Sequence, residues 1–483
     1  MYLGLDLGTS GLRGIVADAS GQVHCDAEAR LETRNPAPGW SEQDPNTWIT
    51  ACRSVMAELR DKSGPAFADL RAIGISGHMH GATLVDAQGG TLAPCILWND
   101  TRAAQQAAQL DESSDIRASS GNIVFPGFTA PKLVWMQEND PETFERISKV
   151  LLPKDFLRFW LTGEFLSEMS DAAGTSWLDV GARAWSDTAL AATGMRRDQM
   201  PDLIEGADAG GTLRSTLLDE WGLKGPVIVA GGAADNAAAA CGVGCLKEGQ
   251  GFVSLGTSGV LLAGRDRFAP APETAVHTFC HAVPERWYQM GVILAATDSL
   301  NWLALVMGKT AGTLAEALPE EISGPAGATF LPYLSGERTP HNDARIRGAF
   351  VGLDISAGPE TLTQAVMEGV AFALRDSLVA LSATGVDLEN VLAVGGGARS
   401  MFWMRTLATV LDLPLQRPRG SELGAALGAL RLAICADTGG APEEVMTSPP
   451  VADVIEPDAT LRSAYEDAYG RYRALYPALS AVT

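Results

Sequence analysis

Asp235 and Asn236 open the Ala-rich segment "DNAAAACGVG", directly after an apolar run, "VIVA", that stops at Gly231 and Gly232. Alanine is the best helix former, so the segment reads as a helix. Two roles fit its first acid. Asp is a good helix N-cap. A carboxylate at a strand–helix junction also lies where α/β folds bind ligands, and the helix dipole would keep it ionised and able to accept a proton. A second acid, Asp6, stands in "LGLDLG". Strand alternation places Leu3, Leu5 and Leu7 on one face, and Gly4, Asp6 and Gly8 on the other. Asp6 is either a turn-forming residue or, beside a phosphate, an acid for Mg²⁺, which prefers few carboxylates and several waters. Gly8–Gly11 would then supply backbone N–H donors. Arg13 adds local positive charge.

The pentapeptide LGTSG at Leu7–Gly11 recurs at Leu255–Gly259. Aligning the copies sets Gly8 on Gly256, Thr9 on Thr257, Asp6 on Ser254 and Arg13 on Leu261. Two readings stand: unrelated hairpins built from common turn residues, or a duplicated domain whose halves each offer a turn to one ligand.

The elements that must position these residues alternate between strand-like and helix-like runs. "YLGLDLG" and "LRGIVAD" read as a hairpin. "LRAIGISG", "GPVIVAGG" and "VLAVGGGA" are buried runs ending in glycine, which indicates an α/β protein with ligands at the carboxyl ends of strands. "TLTQAVMEGVAFALRDSLVAL" and "GSELGAALGALRLAICA" read as helices, the second with Gly420, Gly424 and Gly428 as a small-residue stripe for close packing. A chain of 483 residues is too long for one core. The boundary falls between Cys241 and Gly251, giving halves of residues 1–245 and 246–483.

A net charge of −22 argues against nucleic acid and anionic membrane as partners. Backbone donors and a metal ion would still let so acidic a protein hold a polyanion. Neither a signal peptide nor a membrane span is read, and the seven scattered cysteines fit the reduced thiols of a cytoplasmic protein. "GKT" at Gly308–Thr310 is no P-loop, because Leu303 stands where that motif needs glycine and the preceding run reads as a helix. His277 and His281, or His78 and His80, have no further ligand nearby to make a zinc site.

In order along the chain come "GLDLGTSGLRGIVAD", "GISGHMHGATLVD", "ILWNDTRA", "GGAADNAAAACGVG", "GFVSLGTSGVL", "HTFCHAVPERWYQMG", "LSGERTPHNDARIRGAFVGL" and "VGGGARSMFWMRTLA". As an ordered set, reaching about Ala436, they resemble the FGGY family of carbohydrate kinases. The resemblance implies two duplicated ribonuclease H-like domains of the actin/hexokinase type, with ATP and sugar in the cleft between them. It implies Asp235 as general base, and Met79, His80, Asp235 and Asn236 as sugar contacts. Asp6 would position Mg²⁺. Thr9, Arg13, Gly256 and Thr257 would lie beside the phosphates, and Gly396, Gly397 and Ser400 beside the adenosine. Met79–Gly81 resembles the branch acting on D-xylulose more than the one acting on glycerol. Ribulose, ribitol and arabinitol stay open as substrates, and the resemblance admits a homodimer. An actin-like or chaperone-like nucleotide machine would not need the sugar segments, and a sugar-sensing repressor would need an added DNA-binding module. Two positions depart from the pattern: His78, where Gln usually precedes Met-His-Gly, and "TDSLNW", where Cys-Leu-Asp-Trp is commoner. Both are expected to retune the sugar pocket. The resemblance assigns no role to "GERTPHND".

Overall fold

A computed structural model describes residues 1–419 and 424–482. Numbering only the elements that build the site, the first half contributes β1 (Tyr2–Leu7), β2 (Gly11–Ala17), β3 (Val23–Arg30), helix α1 (Pro45–Ser63), β4 (Ala72–Gly77), helix α2 (Thr129–Asn139), β5 (Ala209–Thr212), β6 (Ile228–Ala230) and helix α3 (Asp235–Val243). The second half contributes β7 (Gln250–Leu255), β8 (Gly259–Arg265), β9 (His277–Cys280), β10 (Trp287–Ile293), α4 (Thr297–Val306), α5 (Ala311–Glu316), α6 (Pro359–Ala383), β11 (Asn390–Val394), α7 (Met401–Leu411), β12 (Leu415–Pro418), α8 (Gly424–Thr438) and β13 (Val451–Ile455).

The duplication is visible in the sheets. The first runs β5-β6-β4-β1-β2-β3, with Ala233–Ala234 paired beside β4, and the second runs β13-β12-β11-β7-β8-β10-β9. The central strands agree in direction as well as order. β1 is antiparallel to β2 and parallel to β4, as β7 is antiparallel to β8 and parallel to β11.

The two hairpins differ in register. Leu7 pairs with Leu12 in the first, whereas Leu255 pairs with Gly259 in the second. The second loop is one residue shorter, and a one-residue slip exchanges the faces of a strand. Asp6 pairs with Arg13, but Ser254 pairs with Val260, while Leu261 is opposite Val253 and fully buried. The alignment of Arg13 with Leu261 is thus corrected: the residue facing Ser254 is Val260.

Packing explains the alternation in β1. Leu3, Leu5 and Leu7 enter a core with Trp48, Val55 and Leu59 of α1. On the other face, a Cβ at Gly4 would strike the carbonyl of Ala426, and one at Gly74 the carbonyl of Ala429. Helix α8 therefore rests with its backbone on the first sheet, although it comes from the second half. Gly428 admits the Ala238 carbonyl of α3, and Gly242 of α3 admits that of Gly424. The small-residue stripe works through Gly428; Gly420 lies outside the described residues.

A further core joins the halves, with Phe125, Phe128 and Trp177 packed among Phe279, Cys280 and Tyr288. Its edge is pinned by Asn122, whose side chain donates to Thr278 O (2.9 Å) and accepts from Thr278 N (3.0 Å). The amide replaces a neighbouring strand along β9. All seven cysteines carry free thiols. Among the described residues no helix is long and apolar enough to cross a membrane.

Candidate active site

Two carboxylates that bear on each other electrostatically lie at the carboxyl edge of the first sheet. Asp6, half-buried near the end of β1, accepts from the hydroxyl of Ser76, its paired neighbour on β4 (3.0 Å). Burial raises its pKa, opposed by the Ser76 hydrogen bond and the Arg13 charge. Asp235 is the first residue of α3, and the cap position belongs to Ala234. The N-cap expectation is corrected accordingly. Its Oδ1 instead accepts from Asn236 N (2.6 Å) and Asn236 Nδ2 (2.9 Å). Burial and then the Asp6 charge push the Asp235 carboxyl up to about 6, against the Asn236 hydrogen bonds. A base poised near neutrality results.

Sequence reasoning missed what holds Asp235. Ala234 N donates to Ser170 Oγ (3.0 Å), and Ser170 belongs to a buried ionic group around Lys154, whose ammonium meets Asp155 at 2.6 Å and Glu168 and Asp171 at 3.4 Å. No local pattern flagged these residues, because each is an ordinary polar residue until the fold buries it.

The two LGTSG turns are held differently. Gly8 N donates to Gly11 O (2.9 Å), closing the first loop. Thr9 is clamped by side chains: Trp98 Nε1 donates to its Oγ1 (3.0 Å) and Gln43 Nε2 to its carbonyl (2.6 Å). Arg13 bonds Asp26 on β3 (3.2 Å). In the second turn, the Gly256 carbonyl accepts from Thr297 N (2.9 Å) and Thr297 Oγ1 (2.8 Å), and the Thr257 carbonyl from Ala296 N (2.8 Å). The start of α4 holds this turn through its backbone, leaving the Thr257 side chain exposed.

Gly396, Gly397 and Ser400 line a cavity of 680 Å³ between α4, α5 and α7. Gly395, at φ +91°, lies so close to Leu255 that a Cβ would meet its carbonyl oxygen at 2.6 Å. The glycine run thereby comes to the end of β7, beside Gly256. Thr297 and Leu300 of "TDSLNW" line this same cavity. This departure thus stands beside the glycine run. "GKT" falls at the end of α4, where Thr310 caps α5, in keeping with its rejection as a P-loop.

Met79 and His80 form a separate wall. Met79 is buried, and His80 adopts φ +70°. Gly174 backs both, since a Cβ there would meet His80 Cε1 at 2.5 Å and Met79 Cε at 2.7 Å. His80 stacks on Phe128, 4.5 Å between centroids. Its Nδ1 lies 2.7 Å from the Gly174 carbonyl, which only accepts, so Nδ1 carries the proton and Nε2 is left as an acceptor. Burial lowers the ring's pKa to about 3 and keeps it neutral. The His80 carbonyl accepts from Thr129 Oγ1 (3.1 Å) and from Lys132 Nζ (2.8 Å) on α2, and burial lowers the Lys132 pKa to about 7. His78 turns away, edge-on to Trp48 at 5.8 Å, and Trp48 donates to Gln43 beneath the first turn. This departure thus packs against Trp48, behind the first turn, while its charge would still bear on His80. Among the described residues no group of three or more His, Cys, Asp or Glu could hold a metal by itself.

Residues 1–242 match the N-terminal domain of the FGGY family of carbohydrate kinases, and residues 251–436 the C-terminal domain. A xylulose kinase of Escherichia coli K12 is 45% identical over 99% of both chains. The crystal structure of a sugar kinase from Brucella ovis, described as a "xyloylose kinase", superposes with a TM-score of 0.98 at 55% identity, covering both chains fully. A xylulose kinase from Rhodospirillum rubrum superposes at 0.91 with 28% identity, over 100% of this chain and 99% of that one. The duplicated sheets, the paired turns and these full-length matches agree: the chain belongs to the FGGY family of carbohydrate kinases.

Proposed function

We propose that the chain transfers the γ-phosphoryl group of ATP to the terminal 5-hydroxyl of D-xylulose, giving xylulose 5-phosphate. The observation that carries this reading is Asp235, a carboxylate held at the start of α3 by Asn236 and feeling the charge of a second acid, Asp6, at the end of β1. Full-length likeness to relatives named for xylulose supplies the sugar. The lobes are residues 1–245 and 246–483, with α8 reaching back onto the first. The reading includes a cytoplasmic location for the reaction.

Asp235 accepts the proton of the attacking hydroxyl, while Asn236 holds the carboxylate oriented. Met79 and His80 bind the sugar, with His80 Nε2 accepting from a hydroxyl. The amides of both turns, with Thr9 and Thr257, bind phosphate oxygens, and Gly396, Gly397 and Ser400 receive the adenosine. Arg13 supplies positive charge near Asp6. Transfer of this kind passes through a loose transition state, so positioning and charge neutralisation are most of the task. Asp6, half-buried and bonded to Ser76 through one oxygen, fits a Mg²⁺ that keeps most of its waters and would neutralise phosphoryl charge.

A coupled ADP-release assay across D-xylulose, ribulose, ribitol and arabinitol tests the reading. D-Xylulose should give the highest kcat/KM. Absence of any sugar-stimulated ADP release would sink it.

A further inference from the structure

"GERTPHND" lies in the second half and is anchored at both ends. Thr339 N donates to Val292 O (3.0 Å), and Thr339 Oγ1 accepts from Val292 N (3.0 Å) and donates to Ala275 O (3.0 Å). Glu337 and Asp343 exchange backbone hydrogen bonds of 2.9 and 2.8 Å. The Glu337 carboxylate turns to backbone amides, accepting from Leu294 (3.1 Å) and Arg338 (2.7 Å). The loop is thus fixed by everything except the Arg338 side chain.

That side chain crosses to the first half. Its guanidinium lies 4.5 Å from the ring centroid of Phe125. Phe125 packs on Phe128 (5.4 Å), and Phe128 stacks on His80 (4.5 Å). Among the described residues the guanidinium has neither a hydrogen-bond acceptor nor a carboxylate within ion-pair distance, although burial lowers its pKa to about 10. Beside it, His277 is buried against Phe125 (5.1 Å), and its Nδ1 has no partner among the described residues. A half-buried cation without a hydrogen-bond partner and an orphaned buried ring nitrogen, both from the second half, pack on the phenylalanines that carry His80. A buried nitrogen of this kind is costly unless satisfied. Arg338 bears electrostatically on His80 and His277, whereas the charge felt by Asp235 is that of Asp6.

We infer that Arg338 is a specificity-determining residue of the sugar site, donating to oxygens at the end of the sugar remote from the phosphorylated hydroxyl. The inference rests on the proposed sugar kinase reading. The first half begins the pocket with Met79 and His80, and the second completes it with Arg338. A guanidinium fork, a donor only, suits the carbonyl and hydroxyl oxygens of a ketose.

The test is steady-state kinetics of the full-length protein and of Arg338→Met and Arg338→Lys, varying sugar and ATP separately, with melting temperatures recorded. Loss of a hydrogen bond to a charged donor should raise the sugar KM about tenfold or more in Arg338→Met, less in Arg338→Lys. The ATP KM should stay within about twofold, and the sugar Kd without ATP should rise in parallel. A sugar KM unchanged within about twofold overturns the inference. So does a joint rise of both KM values with a lowered melting temperature, the mark of a structural prop. If the wild-type protein prefers another sugar, D-xylulose is overturned, and the same comparison on that sugar decides Arg338.

Discussion

The first LGTSG turn is clamped by side chains and carries charge; the second is clamped by backbone and carries none. Trp98 and Gln43 grip Thr9, whereas Thr297 and Ala296 grip Gly256 and Thr257 through the start of a helix. Asp6 and Arg13 face each other across the first hairpin, and Ser254 faces Val260 across the second. The same five residues thus serve two tasks. In the proposed mechanism the backbone supplies phosphate donors in both lobes, and the catalytic charge is concentrated in one. In the second hairpin the shorter loop sets the half-buried Val260, not an arginine, opposite Ser254.

The largest test of that asymmetry removes the charge the first lobe directs. Asp235→Asn should cut kcat by about 10³-fold, within the range of general acid–base contributions. Ala234 is the cap and Asn can still accept from Asn236, so the melting temperature should hold. A variant with wild-type turnover would end the catalytic assignment. Next, Asp6→Asn should weaken Mg²⁺-dependent turnover by about 10- to 100-fold, whereas Ser254→Ala should do little. Equal losses would break the comparison outright.

A pH profile sharpens it. The ionised Asp235 is the active form, so kcat/KM should fall as pH drops through about 6. The Asp6 charge raises that value, so in Asp6→Asn the acid limb should move to lower pH. A limb that stays in place would separate the two carboxylates. The smallest effect belongs to the clamps. Trp98→Phe removes one hydrogen bond to Thr9, at a cost of about 1 kcal/mol, and should raise the ATP KM about fivefold. Thr297→Val should cost less, because the backbone amide of Thr297 still reaches Gly256.

Much of this was legible in the residues. Alternation in "LGLDLG" predicted the two faces of β1, glycine-ended runs predicted the strand ends that carry the site, and the repeat predicted the doubled sheet. The hairpin register was not legible, because identical turn residues close loops of different length. The titration of Asp235 was not either. Its pKa depends on burial and on Asp6, which lies far away along the chain and reaches it only through the fold. The surroundings of "TDSLNW" and His78 were not legible for the same reason: a sequence shows that a position departs from a pattern, not which wall it stands in. Arg338 had a motif but no task until the loop was seen to cross onto Phe125.

The seat of α8 on the first sheet has a consequence during synthesis. β1 and β4 present Gly4 and Gly74 as a bare backbone surface for a helix that starts at Gly424. At typical translation rates the ribosome needs on the order of tens of seconds to travel from one to the other. For that interval the nascent first lobe exposes an uncovered sheet face beside its future catalytic edge. The first sheet is therefore completed by a late segment closing over an early one.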